Sequence, residues 1–128
     1  MSTDELKITN PIDCGNAPKK QVILDVVTAF AKKDLESVDE FLSDELIYRT
    51  VGDKQLEGKN KVTETLQGNP TTITEVELLN IITHGHTAAA NGIMYTANRT
   101  QIEFCQVYRF VSAGKKVIKE ITSYVIEN

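Results

Sequence analysis

The last quarter of the chain, Gln101 to Asn128, reads QIEFCQVYRFVSAGKKVIKEITSYVIEN, and few folds accommodate it. From Ile102 to Val111 the side chains sort with period two. Phe104, Gln106, Tyr108 and Phe110 fall on one face, and Glu103, Cys105, Val107 and Arg109 on the other. Ser112-Ala113-Gly114 supplies a turn in which Gly114 can take a positive φ. Val117 to Ile126 is rich in the Ile, Val, Thr and Tyr that a pleated surface favours. Two long strands joined in this way make a hairpin whose apolar face must be covered, and the helical stretches upstream are the available cover.

A chain of 128 residues is one domain, long enough to build a core without staples. Its net charge of −4 argues against a nucleic-acid partner, which calls for a basic face, and against an anionic membrane surface. Cys14 and Cys105 are too few for a disulfide scaffold and have no metal-ligand spacing. The opening MSTDELKITN has no apolar h-region, and no run reaches membrane-spanning length. The expectation is a cytoplasmic protein with reduced thiols, no membrane partner and no cofactor.

Residues 1–16 are expected to be an irregular arm, with residues 17–128 as the domain, because TNPIDCGNAP holds two prolines and a glycine. Ile12 and Cys14 could tack the arm to the body. Asn16 could cap a helix opening at Ala17-Pro18, whose apolar stripe is Val22, Ile23, Val26, Val27 and Phe30. Asp34 is placed to cap a second helix, Leu35 to Leu42, which Ser43-Asp44 should break. Glu45 to Val51 reads as a strand with Leu46, Tyr48 and Thr50 on one face, and a third helix follows Gly58 and stops at Gly68-Asn69-Pro70. Thr74 to Thr83 and Thr87 to Ala97 read as strands on either side of a His84-Gly85-His86 turn. The small residues of the second permit close approach of a helix or a partner chain. With the closing hairpin they form a four-stranded antiparallel meander.

That order resembles the nuclear transport factor 2-like superfamily, in its polyketide cyclase-like and ketosteroid isomerase-like branches. The likeness is carried by AFAKKDLESVDEFLSDEL, VGDKQLEGKNKV and VYRFVSAGKKVIKEITSY. It implies an α+β fold in which a cone-shaped, curved, mixed or antiparallel sheet wraps over three N-terminal helices, a cystatin-like α+β barrel with an apolar pocket. It also implies that the open face of the sheet forms a homodimer, with Cys105 and Val107 toward the partner, and that Tyr48 sits at the pocket mouth. An exposed sheet face bearing Cys105, Val107 and Val111 would favour such a partner. Function does not follow, because the fold hosts enzymes, binding modules and adaptors.

The catalytic positions of the enzymatic branches are vacant where they can be matched. The carboxylate base of ketosteroid isomerase, the worked case for a protonated aspartate donor, corresponds to Arg49, its aspartate to Gln106 and its tyrosine to Val26. An arginine takes no proton at neutral pH, and a valine has none to give. The late aspartate of polyketide cyclases and limonene epoxide hydrolase corresponds to Ser123, which is no general acid without a base beside it.

Tyr48, Gln106, Tyr108, Ser123 and Tyr124 are therefore the candidate ligand contacts, in a pocket for a small apolar ligand, with no catalytic residue and no metal site assigned. His84 and His86 read as exposed turn residues rather than metal ligands. Cys105 reads as a small apolar residue on a sheet face rather than a nucleophile. Cys14 could be redox-sensitive or an anchor. Glu103 and Arg109 should pair across strands or across a dimer, and Lys54, Lys59 and Lys61 should form a solvated surface. A cofactor-free isomerase, dehydratase or hydrolase remains as an alternative, as does a dimeric adaptor.

Overall fold

The computed structural model describes residues 6–9 and 18–127. Ile12, Cys14 and Asn16, and with them the anchoring and capping roles expected there, lie outside the described residues. The elements are β1 (Lys7–Thr9), α1 (Pro18–Lys32), α2 (Leu35–Phe41), β2 (Leu42–Thr50), β3 (Gln55–Glu57), α3 (Lys59–Gly68), β4 (Ile73–His84), β5 (Thr87–Thr96), β6 (Gln101–Phe110) and β7 (Ile118–Glu127). The fold is α+β: three helices packed on one open, mixed sheet of seven strands in the order β1-β4-β5-β6-β7-β2-β3. The sheet is barrel-like only in its curvature, because among the described residues β1 and β3 are its two unjoined edges.

The meander β4 to β7 forms as its alternation requires, with β6 and β7 in register from Ile102↔Glu127 to Arg109↔Glu120. Several features depart from the sequence reading, among them the short strand β3, which it lacked. Lys7–Thr9, within the stretch expected to be irregular, pairs parallel to β4 at Glu75–Glu77. Ser43-Asp44 does not separate helix from strand, since β2 begins at Leu42 directly after α2 and runs parallel to β7. Gly114 is not among the positive-φ glycines, which are Gly52, Gly58 and Gly85. The turn after β6 closes instead through the Lys115 N–H donating to the Ser112 carbonyl at 3.2 Å.

The junction of α1 and α2 sets the mouth of the later cleft. Lys33 takes φ 57°, in the left-handed region. Its N–H donates to Phe30 O at 3.1 Å, and the N–H of Asp34 donates to Ala29 O at 2.9 Å. This is a Schellman closure with lysine where glycine is usual. Asp34 then caps α2, its carboxylate accepting from Ser37 N at 3.3 Å and Ser37 Oγ at 2.8 Å. Those two bonds, the side-chain one first, hold its pKa below the usual aspartate value. The Lys33 ammonium reaches across to the Asn69 carbonyl just after α3, tying the two helix ends together.

The sheet bends where β4 carries an irregularity between Leu78 and Asn80, opposite Gly92. A Cβ at Gly92 would lie 2.1 Å from the Glu77 carbonyl oxygen, so only glycine admits this approach. The small residues of β5 serve the helices too: Ala88 and Ala90 are buried on the face that α1 covers. Between helices and sheet lies one core, with Ile23, Leu46, Leu78, Tyr108, Phe110 and Ile118 fully buried.

Candidate functional site

At the C-terminal end of α1 the helices stand off from the sheet and leave a cleft of about 280 Å³. One wall is Val27, Phe30 and Ala31 of α1 with Leu66 of α3, and the other is Ile73, Met94, Ile102 and Phe104 of the sheet. Its polar floor comes from three neighbouring strands: Tyr48 of β2, Gln106 of β6 and Ser123 of β7. The pairings Tyr48↔Ile121 and Gln106↔Ser123 bring them together, because β7 lies between β2 and β6.

These groups form one hydrogen-bonded unit. Gln106 Nε2 donates to Tyr48 Oη at 3.2 Å and to Ser123 Oγ at 3.3 Å. Tyr108 Oη, buried behind the floor, donates to Gln106 Oε1. The Phe30 and Tyr48 rings lie 6.1 Å apart, tilted by 40°, and close the cleft beside the floor. Burial raises the Tyr48 hydroxyl above the ordinary phenol pKa, and a hydrogen bond with Ser123 opposes it. Burial raises Tyr108 further, with Tyr48 and Cys105 nearby adding to the rise. Both phenols therefore keep their protons at neutral pH and act as donors rather than bases.

The five residues singled out in sequence part company here. Tyr48, Gln106 and Ser123 line the cleft. Tyr108 supports it from inside the core without reaching it. Tyr124 is a correction: it is 47 % exposed and faces outward, opposite Cys105. Its neighbour Ser123 is 2 % exposed, and adjacent strand residues take opposite faces, so the two cannot share the cleft. Of the matched catalytic positions, Arg49 is exposed and lies across from Thr122, and Val26 is 1 % exposed in the core.

Sequence reasoning missed the rim. Lys33, Asn69, Thr71 and Glu127 border the cleft opening, Lys33 through a backbone conformation that no periodicity announces. Among the described residues, Glu127, exposed at the strand end, is the one carboxylate lining the cleft, and no histidine lines it. His84 and His86 flank Gly85 in its turn, where His86 Nε2 lies 3.5 Å from Arg109 Nη1, and no metal-ligand cluster occurs among the described residues. Arg109 pairs across strands with Glu120 at 3.6 Å. Lys59 is a second correction: it is not a solvated surface group, since its ammonium bridges Asp39 at 3.4 Å and Asp44 at 3.1 Å. A wider, open depression lies at the other end of α1, bordered by Lys19, His84, Lys115 and Lys116. The Lys19 ammonium there is engaged by the carbonyls of Gly85 and Ala113 and sits 4.6 Å from the centre of the Phe110 ring.

A curved sheet over three helices, with a cleft at the open end of the cone, defines a nuclear transport factor 2-like protein. Its structural neighbours bear this out. A protein from Kribbella flavida, provisionally assigned as a ketosteroid isomerase, superposes with a TM-score of 0.75 at 11% identity, covering 86% of this chain and 78% of that one. A provisionally assigned SnoaL-like polyketide cyclase from Shewanella denitrificans gives 0.74 at 11% identity, over 87% and 92% of the two chains. An epoxide hydrolase of M. tuberculosis resembling limonene epoxide hydrolase gives 0.70 at 19% identity, over 84% and 82%. At such identities the likeness is one of fold. The chain belongs to the SnoaL-like family, whose domain model matches residues 23–119. No curated protein matches it in sequence. No helix among the described residues is long and apolar enough to cross a membrane.

Proposed function

We propose that the chain is a binding protein for a small, largely apolar molecule held in the cleft between α1, α3 and the sheet. The observation that carries this reading is the cleft itself: about 280 Å³, near the lower end of ligand-site volumes, with aliphatic and aromatic walls and three convergent polar side chains at its floor. Catalysis has less support, because the floor holds donors and no group that takes a proton at neutral pH, and Glu127 stands at the rim. Neighbours named as isomerases or hydrolases share the fold while the positions matched to the ketosteroid isomerase base and tyrosine hold Arg49 and Val26. The test is a thermal-shift screen of mono- and bicyclic compounds. Saturable stabilisation by an apolar member supports the reading, and its loss in Ala31→Trp, which fills the cleft from α1, ties it to this site. A screen in which no such compound stabilises the protein overturns it.

As part of the same reading, the protein works in the cytoplasm as a homodimer through the outer face of the sheet. Ile82 and Ile126 are 64 % and 68 % exposed there, with Val107 and Tyr124 also uncovered, a surface that association would bury. The adaptor reading draws on this same face. Light scattering on the purified protein separates them: a two-fold assembly leaves little apolar surface for another partner, whereas a stable monomer favours an adaptor.

A further inference from the structure

We infer that the depression at the amino-terminal end of α1 is a second binding site, one for a phosphate group, either the free ion or a monoester carried on a small molecule. The site is separate from the cleft. α1 has 15 residues, so the end that borders the depression and the end that borders the cleft stand about 22 Å apart. Either site can be filled or empty without the other.

Three stretches of chain meet at the depression. α1 brings Lys19, the β4–β5 turn brings His84 and Gly85, and the β6–β7 turn brings Gly114, Lys115 and Lys116. Lys19 fastens the two turns to the helix. Its ammonium donates to the Gly85 carbonyl at 2.9 Å and to the Ala113 carbonyl, and it sits 4.6 Å from the centre of the Phe110 ring. These contacts fix where the cation stands but do not cancel its charge. An ammonium has three donors, and the carbonyls take two of them.

The charges around this fixed cation all have one sign. The ion pairs among the described residues involve Lys59 and Arg109, and neither Lys19, Lys20, Lys115 nor Lys116 has a carboxylate partner there. No carboxylate among the described residues lines the depression. The first turn of α1, where the helix dipole favours acidic side chains, has none and holds Lys19 and Lys20 instead. The whole chain has 18 acidic side chains against 14 basic ones, so its composition does not favour a hollow walled by cations alone. A concave surface lined by one sign of charge concentrates the opposite ion. Lysine binds phosphate as a point charge, and a dianion can answer several ammoniums at once where a monoanion answers one. At about 500 Å³ and open to solvent, the depression also has room for the organic part of an ester.

The test is calorimetry on the full chain with inorganic phosphate, phenyl phosphate and acetate, all at one ionic strength. Phosphate should bind saturably with a Kd on the order of 1 mM, and acetate about tenfold more weakly. Phenyl phosphate binding at least as tightly as phosphate assigns the site to an ester, and weaker binding assigns it to the free ion. Lys115→Glu combined with Lys116→Glu should weaken phosphate by at least about tenfold while circular dichroism stays unchanged, since both side chains are exposed. Gly114→Asp gives an independent reading. A Cβ at Gly114 meets nothing, so the variant sets a carboxylate at the depression without a clash. Compared with Gly114→Ala in phosphate-free buffer, Gly114→Asp should melt at a higher temperature and respond less to phosphate. No saturable phosphate binding, an equal response to acetate, or wild-type phosphate affinity in both charge variants would overturn the assignment.

Discussion

Replacing Gln106 by Leu removes an amide that touches three hydroxyls at once. Its two N–H bonds, 3.2 and 3.3 Å long, go to Tyr48 and Ser123, which border the cleft and can turn to water there. The bond to Tyr108 is different, because that hydroxyl is fully buried and has no solvent to turn to. Stranding a buried hydroxyl costs about 1–3 kcal/mol, whereas removing both partners of a bond together is close to neutral. Gln106→Leu should therefore destabilise by about 2 kcal/mol, and Tyr108→Phe, which leaves an amide oxygen without its donor, by a similar order. The double variant should lose less than the two singles summed, with a coupling of about 1–2 kcal/mol. Urea unfolding followed by circular dichroism reads this directly. With a slope of about 1–3 kcal/mol per molar, each single should lower the midpoint by roughly 1 M and the double by little more than either. Additive losses, or a double variant weaker than the sum, would refute the claim that one buried bond joins these two side chains.

Gly92→Ala should destabilise far more than Gly114→Ala, by several-fold in the urea midpoint shift, because the new methyl meets the Glu77 carbonyl in one case and nothing in the other. Stability should fall on the alkaline side. Burial holds the folded pKa values of Tyr48 and Tyr108 above the ordinary phenol value of 10.0, so the stabilisation they supply is complete below that pH and is lost as pH rises through their folded values. Tyr108→Phe should flatten this fall in a pH series of thermal melts, and an unchanged slope would count against the burial of that hydroxyl. Ile126→Lys, on the exposed outer face, should convert a dimer to monomer in light scattering with little loss of helix signal; a dimer that survives it uses another surface.

The meander was legible because its strands are long and alternate, so period two carried over many residues. The edge strands were not, since β1 and β3 have three residues each and take their form from β4 and β2 rather than from their own pattern. Ser43-Asp44 looked like a break, but the Ser43 hydroxyl accepts from the Glu45 N–H and the chain continues as a strand. In the cleft, Tyr48, Gln106 and Ser123 could be named because β2, β6 and β7 keep strict alternation there. The same alternation, applied to Ser123 and Tyr124, excludes Tyr124. Lys33 and Glu127 escaped notice because a left-handed lysine and a strand end leave no periodic trace.

Methyl NMR of the full chain during titration with 1-tetralone asks the central question most plainly: whether the cleft takes up a small apolar molecule. Saturable shifts of the Ile73, Met94 and Ile102 methyls, with Ile82 and Ile126 on the outer face unmoved, are the predicted result. Methyls of the cleft that do not respond, or that respond no more than those outside, would contradict it.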